Sequence, residues 1–272
     1  MNLVNGKSSS SISIFDRGFL YGDGIFETIL VIKKKPQNLD IHIRRIKIGC
    51  KVLKIKNLDI SLLQRQINKC LKDVGDCTLS INITRGTARK RGYNINIGEV
   101  RPNIILTTSS IPRYPKSYSE DGIKTKFSKN YISESNILSK IKHTNRLDQV
   151  LATSEITNTY PELILCDKNE YIIEGISSNI FFVKNNIFYS PCIENSGVEG
   201  VMKSLIIKVL KKNNFKVKLK KIKKNTVSNF DGAFFCNSIR LIWNIKSIGK
   251  FEYKINKNIK NLISIINNET YK

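Results

Sequence analysis

Short strand-like runs alternate with helix-like segments along residues 1–110, a pattern typical of chains that combine helices and strands. Residues 26–33 predict a buried strand, and residues 80–84 alternate as a half-buried strand does. Residues 60–71 carry apolar side chains at helical spacing, and residues 184–186 predict a hairpin turn. With 272 residues, the chain has room for one large or two medium domains.

A loop-rich segment divides the sequence. Residues 109–122 contain two prolines, a glycine and several serines, a composition typical of loops. We therefore predict an N-terminal α/β domain over residues 1–110, an interdomain loop over 111–122 and a C-terminal domain over 123–272.

One helix in the second half has a clear apolar side. Residues 146–156 place Leu147, Val150, Leu151 and Ile156 on one side, so the sequence predicts an amphipathic helix.

The cysteines and histidines exclude several classes of site. None of the six cysteines forms a Cys-x-x-Cys pair, and His42 and His143 lie far apart in the sequence. Zinc ligation therefore has little support, and we expect no metal. A disulfide framework is also unexpected in a chain of this size, so the cysteines should be reduced and mostly buried.

The net charge of +24 admits two interpretations. A basic chain can bind nucleic acid, and residues 211–224 form a dense basic patch. Lysine, isoleucine and asparagine are all abundant, however, which indicates drift in composition, so we expect no nucleic-acid partner. A cationic surface would still speed the capture of a small anionic substrate. No apolar stretch approaches the roughly 18 residues needed to span a bilayer, and we expect a cytoplasmic protein without a membrane partner.

Lys142 is a candidate nucleophile because of its surroundings. It lies in Ile141-Lys142-His143-Thr144-Asn145, just before the predicted amphipathic helix. A lysine at the end of an element can project into a cleft, and it becomes a nucleophile when desolvation or a nearby cation lowers its pKa. Taken alone, a lysine in so lysine-rich a chain is a solvated charge.

Glu174 ends a predicted strand and enters a turn of small residues, Gly175-Ile176-Ser177-Ser178-Asn179. A carboxylate followed by glycine suits a backbone that passes close to a planar ligand. The alternative is an exposed glutamate in a turn.

A second glycine-containing segment, residues 196–203, opens a predicted helix. Free N–H groups and the positive dipole end make such a start a potential anion site. The alternative is an ordinary helix entry.

Arginines cluster within residues 84–93, where Arg85, Arg89 and Arg91 are accompanied by two glycines and Tyr93. Guanidinium groups match carboxylates with two parallel hydrogen bonds, so this segment could bind a carboxylate. A basic surface loop explains it equally well.

Taken in order, these segments resemble the fold-type IV pyridoxal-phosphate enzymes over nearly the whole chain. Asp16-Arg17-Gly18 with Tyr21-Gly22-Asp23-Gly24-Ile25-Phe26-Glu27 is similar to the family's N-terminal signature, and His42-Ile43-Arg44-Arg45-Ile46 resembles its phosphate-arginine helix. Lys142, Glu174 and the turn before Met202 follow with the family's spacing. The resemblance implies a two-domain α/β (α+β) architecture with pyridoxal 5'-phosphate at the domain interface.

The resemblance also implies a role for each residue. Lys142 would be the catalytic Schiff-base lysine, and Glu174 would hold a proton on the cofactor's pyridine nitrogen, so that the ring can accept electrons. Further cofactor-binding positions on the phosphate side or in the neighbouring turn would be Arg45, Ser178, Asn179, Val201, Met202, Asn237 and Ser238. The family is usually homodimeric, so a homodimer is expected.

Within the family, Lys142-His143-Thr144-Asn145-Arg146 and Arg91-Gly92-Tyr93 are most similar to the lyases that eliminate pyruvate from 4-amino-4-deoxychorismate to give 4-aminobenzoate. Two substrate carboxylates call for more than one cation. The implied substrate-binding residues are Phe26, Arg85, Arg91, Tyr93 and Arg146, with Arg89 as a further candidate. Glu27 after Phe26 is common among aminotransferases as well as some lyases, and residues 87–90 resemble the corresponding loop of D-amino-acid aminotransferases. A D-amino-acid or branched-chain aminotransferase remains the alternative.

Overall fold

The computed structural model describes residues 1–88, 91–95, 100–254 and 256–271. The chain divides into two compact units. Unit 1 comprises Met1–Pro112 and Ile141–Asn145, and unit 2 comprises Arg113–Lys140 and Arg146–Lys272. The first division falls inside the predicted 111–122 loop. The assignment of Ile141–Asn145 to unit 1 has no counterpart in the sequence prediction.

Unit 1 is built on an antiparallel sheet whose described strands have the order β2-β1-β6-β5-β3-β4. The strands are β1 (Asn2–Val4), β2 (Lys7–Ser8), β3 (Gly24–Ile32), β4 (Lys35–Pro36), β5 (Cys77–Thr84) and β6 (Asn103–Ser109). The helices are α1 (Arg17–Tyr21), α2 (Leu39–Val52) and α3 (Ile60–Leu71). The strands predicted at 26–33 and 80–84 and the helix at 60–71 are confirmed.

The core of unit 1 forms where the two longer helices cover the sheet. Ile46 of α2 and Leu63 and Ile67 of α3 are fully buried, and they share one apolar cluster with Ile29 of β3 and Leu79 of β5. Burial of side chains of this size contributes about 1.5–3 kcal/mol each. This packing fixes both β3 and α2, the elements that carry Glu27 and Arg45.

Unit 2 contains a seven-stranded sheet with the order β12-β11-β10-β13-β14-β15, in which β7 also pairs with β14, and a two-stranded sheet of β8 and β9. The strands are β7 (Ile123–Thr125), β8 (Ile164–Cys166), β9 (Ile172–Gly175), β10 (Asn179–Lys184), β11 (Ile187–Pro191), β12 (Lys216–Lys220), β13 (Gly232–Asn237), β14 (Leu241–Ile248) and β15 (Phe251–Glu252). The helices are α4 (Ser117–Glu120), α5 (Leu147–Ala152), α6 (Val201–Lys212) and α7 (Lys257–Tyr271), with 3₁₀ turns at Thr153–Glu155 and Lys224–Asn229.

Aromatic side chains fill the core of unit 2. Phe181 on β10 stacks on Phe234 on β13 with ring centroids 5.0 Å apart, and both are fully buried. The hairpin predicted at residues 184–186 is confirmed, because β10 and β11 are antiparallel and Lys184 pairs with Ile187. Asn185 and Asn186 turn the chain with positive φ angles of 48° and 61°, which asparagine tolerates better than most residues.

The apolar side predicted for the helix at 146–156 does not pack on a core within this chain. The helix ends early, as α5, and Leu147, Val150 and Leu151 are 74%, 58% and 59% exposed. Periodicity correctly identified an apolar face, but it does not say what covers that face.

The cysteines follow the sequence prediction. All six are free thiols, and Cys192 alone among them is only partly buried. Burial raises the pKa of the Cys236 thiol to about 12, so it remains protonated. In the described part of the chain, no cluster of His, Cys, Asp or Glu could hold a metal ion, and no helix is long and apolar enough to cross a membrane.

Candidate active site

Lys142 is fixed by pairing of its backbone with β3. The Phe26 N–H donates to the Lys142 carbonyl at 2.9 Å, and the Thr144 N–H donates to the Gly24 carbonyl at 3.0 Å. The Thr144 hydroxyl donates to the Gly22 carbonyl at 2.6 Å. The half-buried Lys142 side chain places Nζ 4.3 Å from the centroid of the Phe26 ring. Its backbone is therefore rigid and its amine lies against an aromatic face, a favourable contact for a cation.

Lys140 differs from Lys142 in both environment and conformation. Its side chain is exposed, and its backbone has a φ of 73°. Within unit 2, its N–H donates to the Gly197 carbonyl at 2.9 Å and its carbonyl accepts from the Glu199 N–H at 3.1 Å. Lys140 thus anchors the chain through its backbone.

Glu174 lies at the end of β9 and is buried. Its Oε2 accepts a hydrogen bond of 2.9 Å from the Val198 N–H. Gly197 makes this approach possible, because its φ is +89° and a β-carbon there would lie 2.7 Å from the Ile173 side chain. The carboxylate is therefore held in one orientation by a turn that needs glycine.

Asn179 connects the same turn to the start of α6. Its side-chain amide donates to the Val198 carbonyl at 2.9 Å, and a β-carbon on Gly200 would lie 1.8 Å from its Oδ1. Gly200 precedes α6 and has no side chain that could cap it. The N–H groups of Val201 and Met202, which begin the helix, therefore receive no acceptor from this residue. An anion is attracted to such a helix start.

Ser178 and the end of β13 lie next to Asn179. Asn179 pairs with Cys236 across β10 and β13. The Ser178 Oγ is buried and has no hydrogen-bond partner among the described residues. A buried, unsatisfied hydroxyl is costly, and a bound ligand is one way to satisfy it. The donors at this end of unit 2 therefore fit a phosphate group.

Asn237 has a structural function in the turn after β13. Its Oδ1 accepts from the N–H groups of Ile239 and Arg240 at 3.0 and 2.7 Å, and its amide donates to the Ser177 carbonyl at 2.9 Å. Ser238 is half-buried in the same turn. The structure thus brings Glu174, Ser178, Asn179, Val201, Met202, Asn237 and Ser238 to one end of unit 2.

Sequence reasoning missed the buried ion pair that supports this end. Glu162 is 1% exposed and pairs with Arg240. Its Oε1 accepts from the Ser177 N–H at 3.1 Å, and Arg240 also donates to the Ser177 hydroxyl at 2.7 Å. The available signal was a lone charge at the start of the apolar run 162–166.

Arg45 is held by a buried carboxylate. Its Nε and Nη2 donate to the two oxygens of Glu27 at 2.6 and 2.5 Å, and His42 Nδ1 lies 2.6 Å from Glu27 Oε2. Burial opposes ionisation of Glu27, but the hydrogen bonds and charges of Arg45 and His42 outweigh it and lower the pKa of this carboxyl to about 2. Glu27 is therefore ionised at neutral pH.

The lowered pKa of Glu27 gives a pH-dependent stabilisation. A carboxyl with a depressed native pKa stabilises the fold fully above its unfolded value, near 4.5, and this contribution of about 3 kcal/mol is lost as the pH falls toward 2. We expect the difference in unfolding free energy between wild type and Glu27→Gln to shrink between about pH 5 and about pH 3. Urea unfolding at both pH values measures it, with the exposed Asp73→Asn as control. A constant difference would contradict the ion-pair assignment.

Arg85 is occupied within unit 1. It is 8% exposed, donates from Nε and Nη2 to both oxygens of Asp23, and donates to the carbonyls of Leu53 and Lys54. Arg17 shares Asp23 at 2.9 Å. Arg85 therefore supports the fold of unit 1, and its contact with substrate stays a prediction.

The remaining predicted substrate residues occupy different surroundings. Arg91 and Tyr93 are exposed, and the Tyr93 ring lies 5.2 Å from the Tyr21 ring. Arg146 is half-buried and precedes α5. Phe26 contacts the Lys142 amine, as described above. Arg89 lies outside the described residues.

The chain is similar to known proteins along its length. The family model described as Amino-transferase class IV matches residues 24–248. The aminodeoxychorismate lyase of Vibrio harveyi is 28% identical over 254 residues, covering 93% of each protein. A putative branched-chain-amino-acid aminotransferase of Methanocaldococcus jannaschii is 28% identical over 79% of this chain and 76% of that protein.

Among solved structures, 4-amino-4-deoxychorismate lyase from Pseudomonas aeruginosa superimposes with a TM-score of 0.96, at 28% identity and 100% coverage of both chains. This likeness confirms the mixed α/β architecture expected from the sequence. The family match spans most of the chain, and the chain therefore belongs to the class IV aminotransferase family.

Proposed function

We propose that this protein is a pyridoxal-phosphate-dependent lyase that converts 4-amino-4-deoxychorismate to 4-aminobenzoate and pyruvate, supplying 4-aminobenzoate for folate synthesis. The observation that carries the proposal is the fixed Lys142, whose amine lies 4.3 Å from the Phe26 ring centroid. The similarity to lyases over the full length supports this reaction.

The chain offers residues suited to the cofactor. When bound, pyridoxal phosphate supplies an electron sink that stabilises negative charge on the substrate carbon. Glu174 would hold a proton at the pyridine nitrogen. The hydroxyl of Ser178 and the N–H groups of Val201 and Met202 would donate to the phosphate, near Asn179, Asn237 and Ser238. Arg45 would contribute a cation to the same group.

Lys142 would anchor the cofactor and then move a proton. Its amine would take the proton from C4 of the substrate while the bond between the neighbouring carbon and the enolpyruvyl oxygen breaks with its electron pair. A proton is returned to the departing enolpyruvate, which becomes pyruvate, and the ring becomes aromatic. Arg91 and Arg146 are the proposed cations for the two substrate carboxylates. No oxo-acid partner is needed, which separates this reaction from transamination.

A direct comparison of the two reactions tests the proposal. The protein is mixed with 4-amino-4-deoxychorismate, and 4-aminobenzoate fluorescence and pyruvate are measured together. We expect both products in equal amounts without an added oxo acid. D-alanine and branched-chain amino acids with 2-oxoglutarate are tested in parallel. Transamination without 4-aminobenzoate would reject the lyase and support an aminotransferase, the alternative favoured by Glu27 after Phe26 and by the similarity to a branched-chain aminotransferase.

Gly200 provides a prediction for the phosphate side. We expect Gly200→Ala to weaken cofactor retention at least about tenfold, because the new β-carbon would overlap Asn179 Oδ1, at 1.8 Å, and displace its bond to Val198. Cofactor release on dialysis measures the effect. Gly75→Ala is the matched control, since nothing lies within 4 Å of its β-carbon position. Retention equal to wild type in Gly200→Ala would show that this close packing is dispensable.

We further propose a homodimer in the cytoplasm. The exposed apolar side chains of α5, at Leu147, Val150 and Leu151, form a surface of the kind that a second copy covers. We expect a dimer by light scattering, and a shift toward monomer in Leu151→Lys. Leu219→Lys, at an exposed leucine on β12, is the control. A wild-type monomer would reject the homodimer.

A further inference from the structure

Three side chains in unit 1 form a buried cluster, and the proposed chemistry uses only one of them, Arg45, directly. Glu27 lies on β3, whereas His42 and Arg45 lie one turn apart on α2. Glu27 and His42 are each 1% exposed, and the Arg45 side chain is 13% exposed. Burying such groups is costly unless each meets a partner of matching geometry.

The geometry of the cluster is that of a clamp on Arg45. Along one edge of the guanidinium, Nε donates to Glu27 Oε1 at 2.6 Å and Nη2 donates to Glu27 Oε2 at 2.5 Å. Two parallel bonds fix the plane and the direction of a guanidinium, which a single contact does not do. His42 Nδ1, 2.6 Å from Glu27 Oε2, in turn restrains the carboxylate.

A restrained arginine binds an anion more tightly than a mobile one. A free arginine side chain loses rotamer freedom on binding, and prior restraint removes most of that cost from the binding step. The carboxylate also places a negative charge near any anion that Arg45 meets, which opposes binding. For Glu27 to aid anion binding, the gain from orientation must exceed this opposition.

We infer that Glu27 and His42 are positioning residues that hold Arg45 in the orientation needed to bind the cofactor's phosphate. The inference rests on the proposed function, in which Arg45 meets that group. Glu27 and His42 do not touch the cofactor in this arrangement. They act through Arg45, and their contribution depends on the ligand having a phosphate.

Paired titrations isolate the phosphate. Dissociation constants are measured for pyridoxal phosphate and for pyridoxal, which has the same aldehyde and ring without the phosphate, by absorbance after removal of bound cofactor. We expect Glu27→Gln and His42→Gln to weaken pyridoxal phosphate binding about tenfold while changing pyridoxal binding by less than about twofold. Arg44→Met, at the exposed neighbouring arginine, should change neither.

A double-mutant cycle shows whether Glu27 acts through Arg45. In an Arg45→Met background, Glu27→Gln should cause no further loss of pyridoxal phosphate affinity. If Glu27→Gln is unstable, the milder His42→Gln variant is used instead. Its binding of pyridoxal shows whether the fold is intact.

The outcomes separate the inference from the proposed function. Equal losses for both ligands would mean that the cluster only supports the fold, and would overturn the inference. Unchanged or tighter pyridoxal phosphate binding in Glu27→Gln, or a further loss in the Arg45→Met background, would overturn it as well. A wild-type protein that binds neither ligand would instead reject the proposed cofactor, and the inference with it.

Discussion

Lys142→Ala is expected to lower 4-aminobenzoate formation by at least about a thousandfold and to remove the visible absorption band of the purified protein. The amine would serve twice, as the covalent anchor and as the group that moves the proton, so one substitution removes both contributions. Neighbouring groups cannot take its place easily, because pairing of residues 142–144 with β3 fixes the backbone here.

Lys140→Ala is the matched control. Lysine and alanine both have a β-carbon, so the substitution adds no strain at the positive φ of residue 140. The backbone hydrogen bonds of this residue to Gly197 and Glu199 are kept. We expect its activity and absorption to be those of wild type. Borohydride reduction of the wild type, followed by peptide mapping, should place the label on Lys142. A label on Lys140, or an active Lys142→Ala, would overturn the assignment.

Sequence periodicity predicted the elements whose residues contact a core in the same chain. Helix α3 has the predicted bounds of 60–71 because its apolar spacing faces the sheet. The same reasoning identified the apolar side of α5 but gave no information about what covers it, since these side chains are exposed in this chain. It also missed α7, although Ile259, Leu262 and Ile266 are buried along this helix. Its many asparagines and lysines mask the apolar spacing.

The candidate site was predictable where a motif fixes local geometry. Glu174 lies close to the start of α6 because its carboxylate accepts from Val198 in the glycine-containing turn before that helix. The glycines of this turn are visible in the sequence. The supporting contacts were not predictable in the same way. The ion pair of Glu162 and Arg240 joins residues far apart in the chain. Nothing in the sequence around Arg85 indicated that its guanidinium would pair with Asp23. Which charged side chains form an ion pair depends on where the fold places them, and the local sequence does not show this.

Glu174→Gln is the second substitution with a large expected effect. Glutamine has the same shape, and its side-chain oxygen can still accept from the Val198 N–H, which the carboxylate accepts at 2.9 Å. The negative charge is lost, however, and with it the ability to hold a proton on the pyridine nitrogen. We expect turnover to fall on the order of a hundredfold, while the protein still binds the cofactor.

The retained cofactor distinguishes an electronic role of Glu174 from a structural one. If Glu174 only held the 197–200 turn in place, Glu174→Gln would keep both the Val198 bond and full turnover, and the charge would be irrelevant. If the charge matters, turnover falls while the absorption band persists with a shifted maximum. Glu170→Gln, at the half-buried glutamate paired with Lys224 in the preceding turn, should change neither quantity. A Glu174→Gln protein with wild-type turnover would remove the carboxylate's charge from the mechanism, and one without cofactor would show that the charge is needed for cofactor binding.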